Sequence, residues 1–475
     1  MRAFTLGALL VALASLAHAE SRPHYGGTVE ASLLGAPLLL DPVSAQTHAE
    51  ITVVDLVFDT LYRVGIDGIV QSRLALGHPV LDAAKTTARI AIRRGVRFHD
   101  GTELTAADVI ASLERAHGSW PLAPILAMRV ESDVLVVTLR APTADLATLL
   151  ALPQLAISKG GTIGTGPFAI EARDPAKNRL VLRAFDDYFA GRPYLDQLVL
   201  HWYDTPDGEA RQFETGAAQL SARGVAAFAG AQPKYKADDV EGPAALLVYA
   251  GWGRAHEAIT KDARFRRALD LALARGALTT IGAGERIVPT RLPWPVEAGA
   301  PVLDTVGKAG DVDGAKQALA GLAVGATKLE ILVEATRPDD REIAERVARA
   351  LDNLGVGATI TALPADKLRE RVGTGTCDLY IGQLAEPVTD VVAWWGGAFA
   401  AGGDDYVAQK LALGPLDLAA AGKAFAARLP IVPLMFRAVR IWHRTDVRGL
   451  GFDATGRPDL ASLFLHGAPL PSRKP

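Results

Sequence analysis

The chain contains one cysteine, Cys377. One thiol closes no intramolecular disulfide and builds no cysteine zinc site. It opens the run Cys377-Asp378-Leu379-Tyr380-Ile381, where a thiol packs as a small apolar group, and no histidine stands near it in sequence to make it a nucleophile. Past the N-terminus there is no run of about twenty apolar residues, so no bilayer-spanning helix is expected in the mature chain. An excess of charge is missing too. With 50 Lys and Arg against 53 Asp and Glu, no basic patch dominates, which argues against a nucleic-acid partner. Gly-x-Ser-x-Gly, His-Glu-x-x-His and His/Cys clusters are absent, and the 10 histidines are scattered. The chain therefore reads as a non-enzyme with neither cofactor nor metal, although an active site assembled from distant segments leaves no local trace.

What is present suits a large globular protein. The 475 residues, 49% hydrophobic and 22% charged, suggest two or three folding units. Residues 1–19 have the form of a secretory signal: Arg2, an apolar run from Phe4 to Leu16, then Ala17-His18-Ala19 as a small-x-small cleavage site. Cleavage before Glu20 is expected, with export to the periplasm where the host has two membranes. No cysteine follows the site to carry a lipid.

The most structured stretch is Arg97-Phe98-His99-Asp100-Gly101-Thr102-Glu103-Leu104-Thr105-Ala106-Ala107-Asp108-Val109. It reads as a strand over Ala88 to Phe98, a turn at Asp100-Gly101, and a helix. Thr105 and Asp108 have capping-box spacing, so each side chain can satisfy an orphan N–H at the helix start. Further along come Gly164-Thr165-Gly166-Pro167-Phe168, then Asp187-Tyr188-Phe189-Ala190-Gly191-Arg192-Pro193-Tyr194-Leu195-Asp196, then Phe265-Arg266-Arg267-Ala268-Leu269. The glycines before Phe168 suit a backbone crossing in a tight space; no Gly-Lys-Ser/Thr follows, so a phosphate loop is excluded. In this order the four segments resemble the signatures of the family 5 extracytoplasmic solute-binding proteins, the oligopeptide-, dipeptide- and nickel-binding group of ABC importers. The likeness covers nearly the whole mature chain.

The resemblance implies an α/β, two-lobed periplasmic binding protein fold of the large class II-like type, with an extra small strand-rich subdomain in lobe one. On that plan lobe one takes residues 20–62, 158–248 and 435–475, the small subdomain 63–157, and lobe two 249–434. It also implies a monomer that hands a small polar solute or short peptide to a membrane permease and performs no chemistry. The runners-up are an orphan ligand sensor on the same fold and a secreted hydrolase.

Periodicity adds detail. Ile51 to Leu61 and Asp262 to Leu278 have helical spacing. Leu246 to Tyr249 reads as a crossover strand, while Leu429 to Phe436, interrupted by two prolines, and Val439 to Trp442 read as separate extended pieces. Residues 327–384 spell β-α-β-α-β, which places ligands beyond the carboxyl ends of the strands, near Glu334, Gln383 and Glu386. Aromatic and charged residues in expected cleft segments complete the site: Tyr249, Trp252, Arg291, Trp294, Trp394 and Trp395. Peptide-binding members place an acid for the peptide's amino terminus after the strand matching Asp378 to Leu384. Here that segment offers Glu386 and Asp390.

Overall fold

A computed structural model describes residues 23–466, except positions 34, 46, 66, 143–144, 204, 223–231, 282–284, 296–309, 326, 387–389 and 414–416. The expected signal segment lies outside the described residues.

One sheet of 11 strands runs through the molecule. In chain order they are β1 (Thr28–Ser32), β2 (Phe168–Asp174), β3 (Arg179–Ala184), β4 (Gln197–His201), β5 (Leu220–Ser221), β6 (Ala237–Trp252), β7 (Ile287–Pro289), β8 (Lys328–Glu334), β9 (Gly357–Leu363), β10 (Leu379–Leu384) and β11 (Val432–Arg444). Across the sheet the order is β9-β8-β10-β6-β11-β5-β1-β4-β3-β2, with β7 beside β11. On one side of the β6/β11 pair, β1, β3 and β4 bury Val29, Leu182 and Leu198 around the helix His48–Val57. On the other, β8 and β10 bury Ile331 and Leu379 against Ile343 and Val347 of the helix Pro338–Asp352. These are two lobes joined by shared strands. The β-α-β-α-β unit forms as its alternation predicts, with β8 parallel to both β9 and β10.

The expected capped helix spans Ala106–Arg115, and both halves of its capping box form. The strand before it ends earlier than its sequence suggests: it covers Thr87–Ala91, and Gly95, at φ 73°, turns the chain. The helix predicted over Ile51 to Leu61 is His48–Val57, and that over Asp262 to Leu278 is Ala263–Ala272 followed by a 3₁₀ turn.

Two of the sequence signatures lock that first helix in place. Gly166 donates its N–H to the Val57 carbonyl at 3.0 Å, and a Cβ on Gly164 would lie 1.9 Å from the same oxygen. Thr165 donates to Asp59, while the His99 backbone donates to Gly164 and its ring bonds the Gly166 carbonyl. The turn before the capped helix thereby fixes the loop that fixes the end of His48–Val57.

The small subdomain carries a four-stranded sheet whose buried face includes Ala88, Ile90, Leu135 and Val137. Its core is continuous with the helices Val391–Ala401 and Leu418–Arg428 of lobe two, through Trp120, Trp394, Phe399 and Phe425. Cys377 lies fully buried, and burial pushes its thiol up to about 11.

Candidate ligand site between the lobes

The lobes meet where β6 and β11 cross. Their antiparallel register shifts between Glu241 and Ala244, between Ala244 and Leu246, and again between Val248 and Tyr249. Such bulges break the ladder and add local twist. The sequence there, Gly242-Pro243, supplies one residue without a side chain and one without an N–H. A cavity opens beside this break. Its walls are His48, Ile51 and Thr52 at the start of the first helix, Pro243, Ala245 and Leu246 of β6, Ala385 and Glu386 beyond β10, Val439 of β11, and the loop Thr455–Arg457. Both lobes and both shared strands contribute.

Glu386 is the acid of this cavity. It leaves the carboxyl end of β10, is only 6% exposed, and among the described residues no cation faces it: burial alone pushes its carboxyl up to about 8. Among the described residues its carboxylate has no hydrogen-bond partner. Room for it comes from the next helix, Val391–Ala401, where a Cβ on Gly397 would come within 1.9 Å of Glu386 Oε1. Asp390, the other expected acid, is otherwise engaged. It caps that same helix, accepting the Val392 N–H at 2.7 Å.

Across the cavity, His48 holds both ring nitrogens buried without a hydrogen-bond partner among the described residues. Burial lowers its pKa to about 4, so the ring is neutral at pH 7. The other polar lining groups are occupied. Thr52 donates to the His48 carbonyl, Thr455 to Asp453, and Arg457 bonds Asp55 and Asp453. One buried acid and one neutral imidazole line the same, otherwise largely apolar cavity, and no nucleophile with an adjacent base stands among the lining residues.

The other expected site residues fall into two groups. Tyr249, Gln383 and Glu334 lie in or at the ends of strands close to the cavity. Tyr249 packs its ring on Gly382 and edge-on to Tyr380, Gln383 pairs with Val248, and Glu334 approaches Gly35 of lobe one while holding Arg337. Trp252, Arg291, Trp294, Trp394 and Trp395 do not line the cavity. The Trp252 indole donates to the Leu429 carbonyl under the Arg266 guanidinium, and Arg291 reaches the Asp270 carbonyl. Trp294 tilts onto Trp395 at 4.8 Å, and Trp394 stands edge-on to Phe436. His443, in the closing segment, is buried in β11 and bonds the Arg444 carbonyl.

Sequence reasoning missed His48, Glu50 and Gly396-Gly397. Glu50 closes the capping box of its own helix, accepts the Leu39 N–H, and takes two bonds from Arg369 of the lobe-two helix Ala365–Thr374, at 2.9 and 2.7 Å. Paired glycines inside an apolar helix were a readable signal of close approach. Gly396 admits the Trp120 ring and Gly397 admits Glu386.

The profile of the bacterial extracellular solute-binding proteins, family 5, matches residues 70–404. The chain belongs to this family. Family 5 proteins are extracytoplasmic binding proteins of ABC importers. Among curated relatives, this member is 25% identical over 300 residues to the oligopeptide-binding protein AppA of Bacillus subtilis, covering 54% of this chain and 52% of that one. It is 29% identical over 205 residues to the glutathione-binding protein GsiB of Salmonella choleraesuis, covering 38% and 39%. The chain thus spans about half the length, or less, of the curated relatives it matches. Solved structures align over more of their length. AppA in complex with a nonapeptide superposes at TM-score 0.76 with 18% identity, over 94% of this chain and 100% of that one. A dipeptide-binding protein from Pseudoalteromonas with Met-Leu gives 0.79 with 18% identity over 92% and 100%, and NikA of Staphylococcus aureus with Ni(L-His)2 gives 0.77 with 17% identity over 92% and 100%. At such identities the likeness shows the fold, the two-lobed periplasmic binding protein architecture. Among the described residues no helix is long and apolar enough to cross a membrane.

Proposed function

We propose that this family 5 protein is the periplasmic, monomeric receptor of an importer for small amine-bearing solutes, short peptides foremost, and that the ligand's ammonium sits on Glu386. The observation that carries the reading is a buried acid lining the interlobe cavity with no cation to balance it among the described residues. Burial keeps the Glu386 carboxyl protonated at neutral pH in the ligand-free protein, and an ammonium seated on it pairs with the carboxylate as that proton is released. Gln383 and Glu334 stand toward the carboxyl ends of β10 and β8, and Trp394 and Trp395 pack in the helix whose Gly397 receives Glu386. Peptides bound to AppA and to the Pseudoalteromonas protein support the ligand class. The lobes hinge at the bulges of β6, and ligand drives closure to the extent that it binds the closed form better.

Native mass spectrometry on residues 20–475, purified without denaturation, tests the reading. A discrete added mass that leaves on unfolding and fragments as a free-amine peptide supports it. An added mass without an amine, or no thermal shift from any free-amine dipeptide, contradicts it.

A further inference from the structure

A separate group of charges, none of which lines the cavity, stands at the seam between the lobes. Asp340, in the first turn of the helix Pro338–Asp352, is 0% exposed. Arg337 brings its Nε to 2.7 Å from Asp340 Oδ2, and the same nitrogen lies 3.5 Å from Glu334 Oε2 at the end of β8. The contact with Asp340 is off the N–H axis. Arg337 Nε and both Asp340 oxygens are buried without a directed hydrogen bond among the described residues. From β11, Arg437 faces the group but is already held by Glu285 and by Asp339, the latter at 3.0 Å. From β6, the Tyr249 phenol, kept neutral by burial, faces Arg337. Two arginines thus serve four acids, Glu285, Glu334, Asp339 and Asp340. Glu334 is the member that meets the other lobe. A Cβ on Gly35, just past β1, would lie 3.3 Å from its Oε1, the oxygen to which Thr336 donates at 2.5 Å.

We infer that Glu334, Arg337 and Asp340 form a proton-controlled latch between the lobes. With a proton on Asp340, Arg337 balances Glu334 and the seam against Gly35 holds. When the proton leaves, Asp340 takes Arg337, and Glu334, left buried without its cation, moves into water as the lobes part. The latch works in the ligand-free protein, so it goes beyond the contact proposed at Glu386 and does not depend on it. Its set point suits the role. Burial, with Glu334 and Asp339 adding to it, raises the Asp340 carboxyl to about 7, while Arg337 and Arg437 pull the other way. Opening hydrates Glu334 and leaves Arg337 to Asp340 alone. The open form therefore holds the proton less tightly, and rising pH favours it.

Distances between two spin labels test this in the exported protein, freed of ligand by dialysis, from pH 6 to pH 8. The labels sit on Lys177→Cys in lobe one and Glu370→Cys in lobe two, both exposed positions, while the fully buried Cys377 takes none. The ratio of open to closed protein is expected to rise across neutrality by up to about tenfold per pH unit, the limit for one released proton. Asp340→Asn, which keeps the shape of the protonated acid, is expected to stay closed at pH 8. Glu334→Gln, which has no charge to expel, is expected to do the same, and a cooperative melt shows that each variant is folded. Glu386→Gln is expected to open as the wild type does. A wild-type distance distribution that is the same at pH 6 and pH 8 overturns the inference, as does an Asp340→Asn protein that opens like the wild type. Loss of the response in Glu386→Gln also overturns it, because the sensing acid is then in the cavity and not at the seam. No ligand enters these measurements, so their failure leaves the ammonium contact at Glu386 to its own test.

Discussion

The Glu386 carboxylate rests over Gly397 so closely that a Cβ at that glycine would come within 1.9 Å of its oxygen. The helix Val391–Ala401 gives up stability here, since Gly in a helix interior costs about 1 kcal/mol relative to Ala. Gly397→Ala is therefore expected to improve the helix while expelling the carboxylate. The expected outcome is an affinity for free-amine dipeptides reduced about tenfold, with ligand-free stability changed by no more than about 1 kcal/mol. Calorimetry and urea unfolding on the same preparation check both halves.

Glu386 also sets a pH dependence. Its carboxyl moves from 4.5 to about 8 in the folded protein, so between those values the native state holds a proton that the unfolded state has released. Stability then falls as pH rises, by up to about 1.4 kcal/mol per pH unit. His48, lowered from 6.5 to about 4, works in the opposite sense: across that window the unfolded state holds the extra proton, and stability rises with pH. The two offset each other below pH 6.5. Asp340, buried beside Arg337 and raised to about 7, reinforces the fall up to neutrality. Ligand-free protein is expected to lose stability from pH 6.5 to 8, and Glu386→Gln is expected to flatten that slope in a series of thermal melts.

Much of the fold was legible because it is local. Thr105 and Asp108 announced their helix, and the alternation over residues 327–384 announced β8, β9 and β10 with their helices. The shared strands were not legible at full length. Ala237 to Glu241 look too polar for a strand, yet they pair with Arg440 to Arg444, and Glu241 takes an ion pair from Arg440 at 2.6 Å. Pro433 argued for a break in β11, but it falls opposite Tyr249 at a register shift, where the ladder is already irregular. In the site, an acid after β10 was foreseeable; which of Glu386 and Asp390 stays free depends on where the next helix is capped. His48 left no signal, because its burial depends on the loop Thr455–Arg457 folding back from far along the chain.

Trp120 links the small subdomain to lobe two. Its ring lies over Gly396, where a Cβ would meet it at 2.6 Å, and beside it Gln409 donates to the Gly118 carbonyl at 3.3 Å. Burial of this ring stabilises the contact between the small subdomain and lobe two. Trp120→Ala is expected to cost about 3–5 kcal/mol of that contact, and so to weaken ligand-driven closure. Small-angle scattering with saturating Leu-Ala is the check: the variant's radius of gyration is expected to stay larger than that of the wild type.

Arg369 closes the opposite seam by its two bonds to the buried Glu50. Removing one partner of a buried ion pair costs about 3–5 kcal/mol, and the partial exposure of Arg369, at 28% of its side chain, brings the expectation toward or below the lower figure. The pair crosses the lobes, so its loss acts on closure. Arg369→Gln is expected to speed ligand dissociation about tenfold or more in stopped-flow chase experiments, with the association rate little changed.

On the proposed function, Glu386 receives a ligand ammonium within the interlobe cavity. Titrating Leu-Ala into wild type and Glu386→Gln, with Leu-Ala acetylated at its amino terminus as the companion ligand, tests it most directly. An affinity for Leu-Ala reduced about a hundredfold in Glu386→Gln is expected, in line with truncating one member of a buried charge pair, together with no measurable acetyl-Leu-Ala binding by the wild type. Wild-type affinity for Leu-Ala in Glu386→Gln would contradict it.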